Sequence, residues 1–361
     1  MPAKYELLAD AIESELSQYR KDGVFKLPSE AALTARYKVS RQTVRHALSL
    51  LADRGLIQSR RGSGYYICKT VGSNPHKIDV IITHANEYIF PALLEEVGLV
   101  LAEYGYEMTV HATENSLKAE REILLSLLKT PNGGILAEGS RTALPNPNVD
   151  LYEQLQLKGV PTVFLHGAHA ALKDAVCVGD DNFGGGYMLT KYLIDKGHRR
   201  IAGIFKSDDV QGIERYHGYM DALRDARLLP EDRNILWFTT EERETLNDGL
   251  KSELMERFLL RHLSDCTAVV CYNDEVAYRL IKALTLAKKR VPNEVAVVSF
   301  DNSYYCELSN IPITSLSHRP MAMSRCACDT LIRMIRGQTC ASHALLWDLA
   351  ERESSKISYE K

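Results

Sequence analysis

Long hydrophobic runs are missing from this chain of 361 residues; no stretch of 18 or more apolar residues occurs, and without one a membrane-spanning helix is not expected. The eight cysteines stand at 68, 177, 266, 271, 306, 326, 328 and 340, with no CxxC pair and no histidine spacing that would close a zinc site. Neither a metal centre nor a disulfide framework is expected, and the thiols read as reduced and mostly buried. The chain has no GxSxG turn, and its one glycine cluster, Gly184, Gly185 and Gly186, lacks the spacings of a dinucleotide fingerprint or a phosphate-binding P-loop. The cluster reads instead as a close-packed helix start. No catalytic residue and no cofactor is expected. The segment MPAKYELLADAIESELSQY is a polar, acidic helix and not a signal peptide, so a cytoplasmic location is expected.

Charge is unevenly spread. Residues 1 to 70 hold twelve Lys or Arg against seven Asp or Glu, whereas the whole chain carries a formal net charge of -3. The basic excess is confined to a segment with a recognisable pattern. In residues 27 to 68, Ser29 can cap a first helix with Ala32, Leu33 and Tyr37 at helical spacing, and Val39 and Ser40 mark a break. A second helix buries Val44, Ala47, Leu48 and Leu51 and leaves Arg41, Gln42, Thr43 and Arg45 exposed near its start. Leu56 to Gln58 and Tyr65 to Ile67 then read as two short strands around the turn Arg60, Arg61, Gly62, Ser63 and Gly64. A helix-turn-helix followed by a glycine-tipped hairpin suits entry into a DNA groove, and the modest charge favours two modules paired across a two-fold site.

The division expected is a winged helix-turn-helix over residues 1–70, a linker over 71–77, and a two-lobed domain over 78–350. In the last region strand-like runs alternate with amphipathic helices at Ile78 to Thr83, Glu107 to Thr113, Gly134 to Ala137, Pro161 to Leu165, Ala175 to Val178, Arg200 to Phe205, Ile235 to Phe238, Ala268 to Tyr272 and Val295 to Phe300. That alternation predicts an α/β fold with parallel sheets covered on both faces, and the strand count predicts two doubly wound lobes with a cleft between them. Ligands of such sheets sit beyond the carboxyl ends of the strands. The candidate effector contacts are Tyr88, Phe90, Glu138, His166, Asp209, Arg215, Trp237, Asn273, Asp301 and His318. Carboxylates, amides and aromatic rings in this mixture suit the hydroxyls and apolar face of a sugar. The alternative for Arg215, Asp301 and Glu138 is an ion pair between lobes, and the run Glu241 to Glu244 reads as a solvated helix face.

The motifs LPSEAAL, VSRQTVRHALSLLADRGLI and RRGSGYYI resemble the winged helix-turn-helix of the GntR family. The resemblance implies DNA contacts at Ser40, Arg41, Gln42, Thr43, Arg45, Arg61 and Gly62, with Ala31 departing from the arginine or asparagine common at its position. From residue 77 to 350, VGDDNFGGGYMLTKYLIDKGHRRIAGI, ERYHGYMDAL, CYNDEVAYRLIKAL, VPNEVAVVSFDN and PITSLSHRPMAM are similar to the effector domain of the LacI/GalR family, which is built like a periplasmic sugar-binding protein. This implies inducer contacts at Arg215, Asn273 and Asp301. IFKSDDVQGIERYHGY, WFTTEE and CYNDE resemble arabinose-responsive repressors that join the same two domains. Together these resemblances imply a homodimeric repressor of operator DNA released by a monosaccharide, with L-arabinose the first choice. A GntR-type regulator of another metabolite, or a sugar-modifying enzyme with an accessory DNA-binding domain, is the alternative.

Overall fold

The structure, a computed structural model, describes residues 4–21, 24–53, 56–60, 64–67, 74–228, 231–244 and 252–356. Three helices, α1 (Lys4–Lys21), α2 (Glu30–Tyr37) and α3 (Arg41–Asp53), and a hairpin of β1 (Ile57–Arg60) and β2 (Gly64–Ile67) form the N-terminal head. Ser29 Oγ accepts from the Ala32 amide at 3.2 Å and Ser40 Oγ from the Thr43 amide at 3.1 Å, so each serine caps the helix it precedes. Leu8, Ile12, Leu16, Leu33, Val44, Leu48, Leu51 and Ile67 make one buried core, which sets the hairpin against α3.

The first lobe runs through β3 (Asn74–Ile82), α4 (Phe90–Glu103), β4 (Glu107–Ala112), α5 (Leu117–Lys129), β5 (Asn132–Ala137), α6 (Val149–Leu157), β6 (Thr162–Leu165) and β7 (Val176–Asp180). The chain then crosses to a second lobe: α7 (Asn182–Asp195), β8 (Ile201–Lys206), α8 (Val210–Asp225), β9 (Ile235–Phe238), α9 (Thr240–Glu244), α10 (Glu253–Arg261), β10 (Ala268–Cys271), α11 (Asp274–Leu286), β11 (Ala296–Phe300), α12 (Tyr305–Leu308) and β12 (Thr314–Ser317). Helix α13 (Ala322–Ile335) returns to the first lobe with β13 (His343–Leu345), and β14 (Asp348–Ala350) ends on the second. The sheet orders are β13-β7-β6-β5-β3-β4 and β14-β12-β11-β10-β8-β9, parallel throughout except for β14.

Central strands such as Ile78–Ile82 and Ala296–Phe300 are buried on both faces and apolar except for Asp79 and Ser299, as parallel sheets between helix layers require. The three crossovers are pinned together. His318 Nε2 meets Asp180 Oδ1 at 2.8 Å, the His318 ring stacks on Trp347 at 4.4 Å, and Trp347 Nε1 donates to the Asp181 carbonyl at 3.0 Å. Residues 74–77, expected in a linker, belong to β3, whose pairing with β5 slips between Asn74 and Ile78. At the other end the fold runs past residue 350, because Ser354 bonds to Val297 and Thr314. The nine strand runs read in the sequence are all present, while β12, β13 and β14 were not read there. The seven described cysteines carry no disulfide.

The glycine cluster is a packing device. A β-carbon on Gly186 would sit 2.1 Å from the Arg215 carbonyl oxygen, and one on Gly218 would sit 2.0 Å from the Phe183 carbonyl oxygen. Only bare glycines let α7 and α8 approach so closely.

Candidate functional site

The carboxyl ends of the strands in the two lobes face each other across a cavity of about 80 Å³. At roughly 10–15 Å³ per water, that is room for a small ligand of a few water volumes. Each lobe contributes a prepared set of groups. From the first lobe, Glu138 follows β5 and accepts from the Thr83 amide at 2.9 Å, from Thr83 Oγ1 at 2.5 Å, and from His166 Nδ1 at 3.0 Å. Burial works against the charge on His166, but the Glu138 carboxylate more than offsets it and raises the imidazole to about 9. Glu138 in turn lies below its usual range: burial opposes this, and the bonds from His166 and Thr83 prevail. Burial raises Asp180 at the end of β7, against the pull of His166, Arg215 and His318.

From the second lobe, Arg215 on α8 is fastened at each of its three guanidinium nitrogens. Its Nε donates to Asn182 Oδ1 at 2.9 Å, Nη1 to the Tyr272 carbonyl at 2.5 Å and Nη2 to Asp301 Oδ1 at 3.1 Å, while its guanidinium lies 4.2 Å from the Phe300 ring centre. Lys206 pairs with Asp209. Asn273 caps α11 by accepting from the Val276 amide at 3.1 Å and also lines the cavity.

The lobes touch directly around this cavity. Tyr88 Oη, from the loop after β3, donates to Asp301 Oδ2 at 2.7 Å; burial and the Asp301 and Asp274 charges push its phenol well above its usual value, so it keeps its proton. Asn115 Nδ2 donates to Thr240 Oγ1 at 2.7 Å, Thr142 Oγ1 accepts from the Val210 amide at 3.0 Å, and Arg243 Nη2 reaches Glu87 at 3.1 Å. Arg141 pairs with Glu241 at 2.5 Å. Hydrogen-bond donors and acceptors from both lobes thus surround one small space. Such an arrangement has the chemistry to bond a hydroxylated ligand from both lobes at once.

Residues 4–67 match the bacterial regulatory proteins of the gntR family, and residues 190–355 match the periplasmic binding protein-like domain family. The chain is 31% identical over 342 residues to the arabinose metabolism transcriptional repressor of Halalkalibacterium halodurans, covering 93% of this chain and 90% of that protein. It is also 31% identical over 314 residues to the arabinose metabolism transcriptional repressor of Geobacillus stearothermophilus, covering 86% and 85%. This chain belongs to the arabinose metabolism transcriptional repressor family. Among solved structures, a complex of the transcriptional regulator CelR with cellobiose superposes with a TM-score of 0.68 at 25% identity, covering 88% of this chain and 92% of that one. The regulator therefore has a GntR-type head on a sensor built like a periplasmic binding protein.

Of the effector contacts expected from the regulator's sequence, Tyr88, Phe90, Glu138, His166, Asp209, Arg215, Asn273 and Asp301 line the cavity. Trp237 does not. Side chains alternate along β9, so Leu236 and Phe238 face one side of the sheet and Trp237 the other, where its ring lies 4.8 Å from Tyr216 and 5.9 Å from Phe205. His318 meets Asp180 at the crossovers and lines an adjoining cavity that shares Tyr88, His166, Asp180 and Asp301 with this one. The run at Glu241 to Glu244 is more than a solvated face: Arg243 lines the cavity and bonds Glu87 and Glu275, and Glu241 holds Arg141. Asn115, Asp180, Gln211 and Tyr272 also line the cavity. Asn115, Asp180 and Tyr272 follow or end strands, so the carboxyl-end rule carried through every strand finds them.

On the head, Arg41, Gln42 and Arg45 are exposed on the first turns of α3, with Ser40 and Thr43 bonded to each other at 2.8 Å. Arg45 Nε pairs with Glu30 at 2.9 Å. Arg61 and Gly62 lie outside the described residues.

Proposed function

We propose that this regulator is a repressor that grips operator DNA as a homodimer, through Ser40, Arg41, Gln42, Thr43, Arg45 and the wing residues Arg61 and Gly62, and is released by L-arabinose bound between the lobes. The observation that carries the reading is the small cavity whose donors and acceptors come from both lobes, bridged by Tyr88 and Asp301. The cavity takes a small ligand, and the charged groups within it are already paired, as suits a neutral polyol. The names of the relatives supply the choice of sugar. Sugar binding favours the closed pair of lobes, closure shifts the first lobes of the dimer, and the spacing of the two heads no longer fits two half-sites.

Titration calorimetry with a panel of sugars, with and without operator, tests this. L-arabinose should bind, and operator should weaken it by the same factor that L-arabinose weakens operator, typically on the order of 5- to 150-fold. Equal sugar affinity with and without operator refutes the coupling. Asp301→Ala should give a repressor that stays on DNA in the presence of sugar. Release as in the wild type removes Asp301 from the site.

A further inference from the structure

Asp301 is held in an unusual way. Its φ is +93° and that of Asn302 is +48°, so two successive non-glycine residues occupy the left-handed region that side chains disfavour. Such a turn persists only when its surroundings over-determine it. Each amide of the turn is tied to the body of the second lobe: Asp301 N–H to the Leu316 carbonyl at 2.9 Å, Asn302 N–H to Ser315 Oγ at 3.0 Å, and Ser303 N–H to Asp274 Oδ2 at 2.6 Å. Ser315 Oγ also donates to Asp274 Oδ1 at 2.7 Å, and Ser299 Oγ donates to the same oxygen. Two of the three ties therefore converge on one carboxylate.

Asp274 is completely buried and does not line the cavity. It is the first residue of α11, where the helix dipole favours a negative charge, yet it lies too far back to touch a ligand. Its own amide donates to Tyr88 Oη at 3.3 Å, the hydroxyl that bonds Asp301 across the lobes. Burial, and after it the Asp301 charge, raises the Asp274 carboxyl to about 6, against the bonds from Ser299, Ser315 and the Ser303 amide.

We propose that Asp274 is a positioning residue for sugar recognition: with Ser299 and Ser315 it locks the strained turn at residues 301–303, so that Asp301 presents one carboxylate oxygen to Arg215 and the other to Tyr88 and the ligand. This rests on the proposal that Asp301 contacts the sugar. The asparagine variant keeps one acceptor for the Ser303 amide but turns a donor toward the two serines; alanine removes both acceptors.

The test is a double-mutant cycle on the full-length protein, read by calorimetry with L-arabinose, with melting temperature as the control for folding. Asp274→Asn should weaken binding by about tenfold or more in the wild type, and Asp274→Ala by more than Asp274→Asn. In an Asp301→Asn background the Asp274→Asn change should alter affinity by less than about twofold, because the residue through which it acts is already disabled. Equal factors in both backgrounds, or no effect in either, overturn the proposal. If another sugar of the panel binds in place of L-arabinose, the effector assignment fails and the cycle is run with that sugar. If no sugar binds, amide hydrogen exchange of the sugar-free protein decides. Asp274→Asn should speed exchange at Asn302 and Ser303 while leaving β8 unchanged, and unchanged exchange at both amides overturns the proposal.

Discussion

Removing one oxygen atom from Tyr88 tests whether the contacts between the lobes govern sugar binding. Tyr88→Phe deletes the donor to Asp301 Oδ2 and the acceptor for the Asp274 amide, and leaves the ring and the backbone in place. Retaining an aromatic residue matters because Tyr88 has a φ of +57°, and glycine there would relax the loop and confuse the result. A hydrogen bond to a charged group contributes about 1.5–3 kcal/mol. Asp301 keeps its Arg215 partner at 3.1 Å, so the carboxylate is not left alone, and the effect should fall toward the lower figure. That corresponds to roughly tenfold in the closure equilibrium. Because the bond joins the two lobes, it exists only when they are together. If the closed form alone holds sugar, apparent affinity falls in proportion to the closed fraction. Calorimetry with L-arabinose should give a dissociation constant about tenfold higher, with operator binding by the sugar-free protein unchanged. An affinity within about twofold of wild type, with the melting temperature preserved, refutes the reasoning.

Three further outcomes are expected. His166 is raised above its ordinary value to about 9 in the folded protein, so the stability it contributes with Glu138 is fully present below about pH 6.5 and lost as pH rises through 9; melting scans should show wild type losing its advantage over His166→Gln across that window, and parallel curves contradict this. Gly186→Ala places a β-carbon 2.1 Å from the Arg215 carbonyl oxygen, an overpacking that costs about 1–3 kcal/mol, and should lower the melting temperature by about 2–4 °C for each of these and weaken sugar binding as Arg215 shifts. Arg45→Ala should lower operator affinity and reduce its logarithmic salt dependence by about one, with calorimetric sugar binding unchanged.

The sequence made the head legible because capping serines, a four-residue apolar stripe and a glycine turn are local signals, and Ser29, Ser40 and Val44 act as read. The long apolar strands were legible for the same reason. Strands β12, β13 and β14 were not, since TSLS, HAL and DLA are three or four residues long and owe their conformation to neighbours distant in sequence. Trp237 shows the limit of reading a residue from its place near the end of a strand: the period-two alternation, not nearness to the carboxyl end, decides which side of the sheet it faces. The ion pairs Arg243–Glu87 and Arg141–Glu241 join segments 156 and 100 residues apart, and no local pattern distinguishes them from a solvated run. His318 illustrates a different case, in which a polar residue at the right crossover stacks on Trp347 and lines an adjoining cavity that shares Tyr88, His166, Asp180 and Asp301 with the first.

The charges inside the cavity limit what the proposed effector can be. Glu138 is paired with His166, Lys206 with Asp209 and Arg215 with Asp301, and Asp180 faces His318 and the His166 imidazole. A ligand carrying a carboxylate or phosphate would need a cation of its own, and freeing His166 or Arg215 strips a buried carboxylate of its partner, at about 3–5 kcal/mol, whereas Arg243 pairs partly with the exposed Glu87. A hydroxyl asks for no such exchange. It can donate to a carboxylate oxygen whose second lone pair is unused and accept from an amide such as that of Asn273, leaving every ion pair intact. The pairs are thus a selectivity device as well as a scaffold. Under the proposed reading the buried pairs disfavour acidic and phosphorylated sugars, and the choice among neutral sugars falls to hydroxyl geometry around Arg215, Asn273 and Asp301.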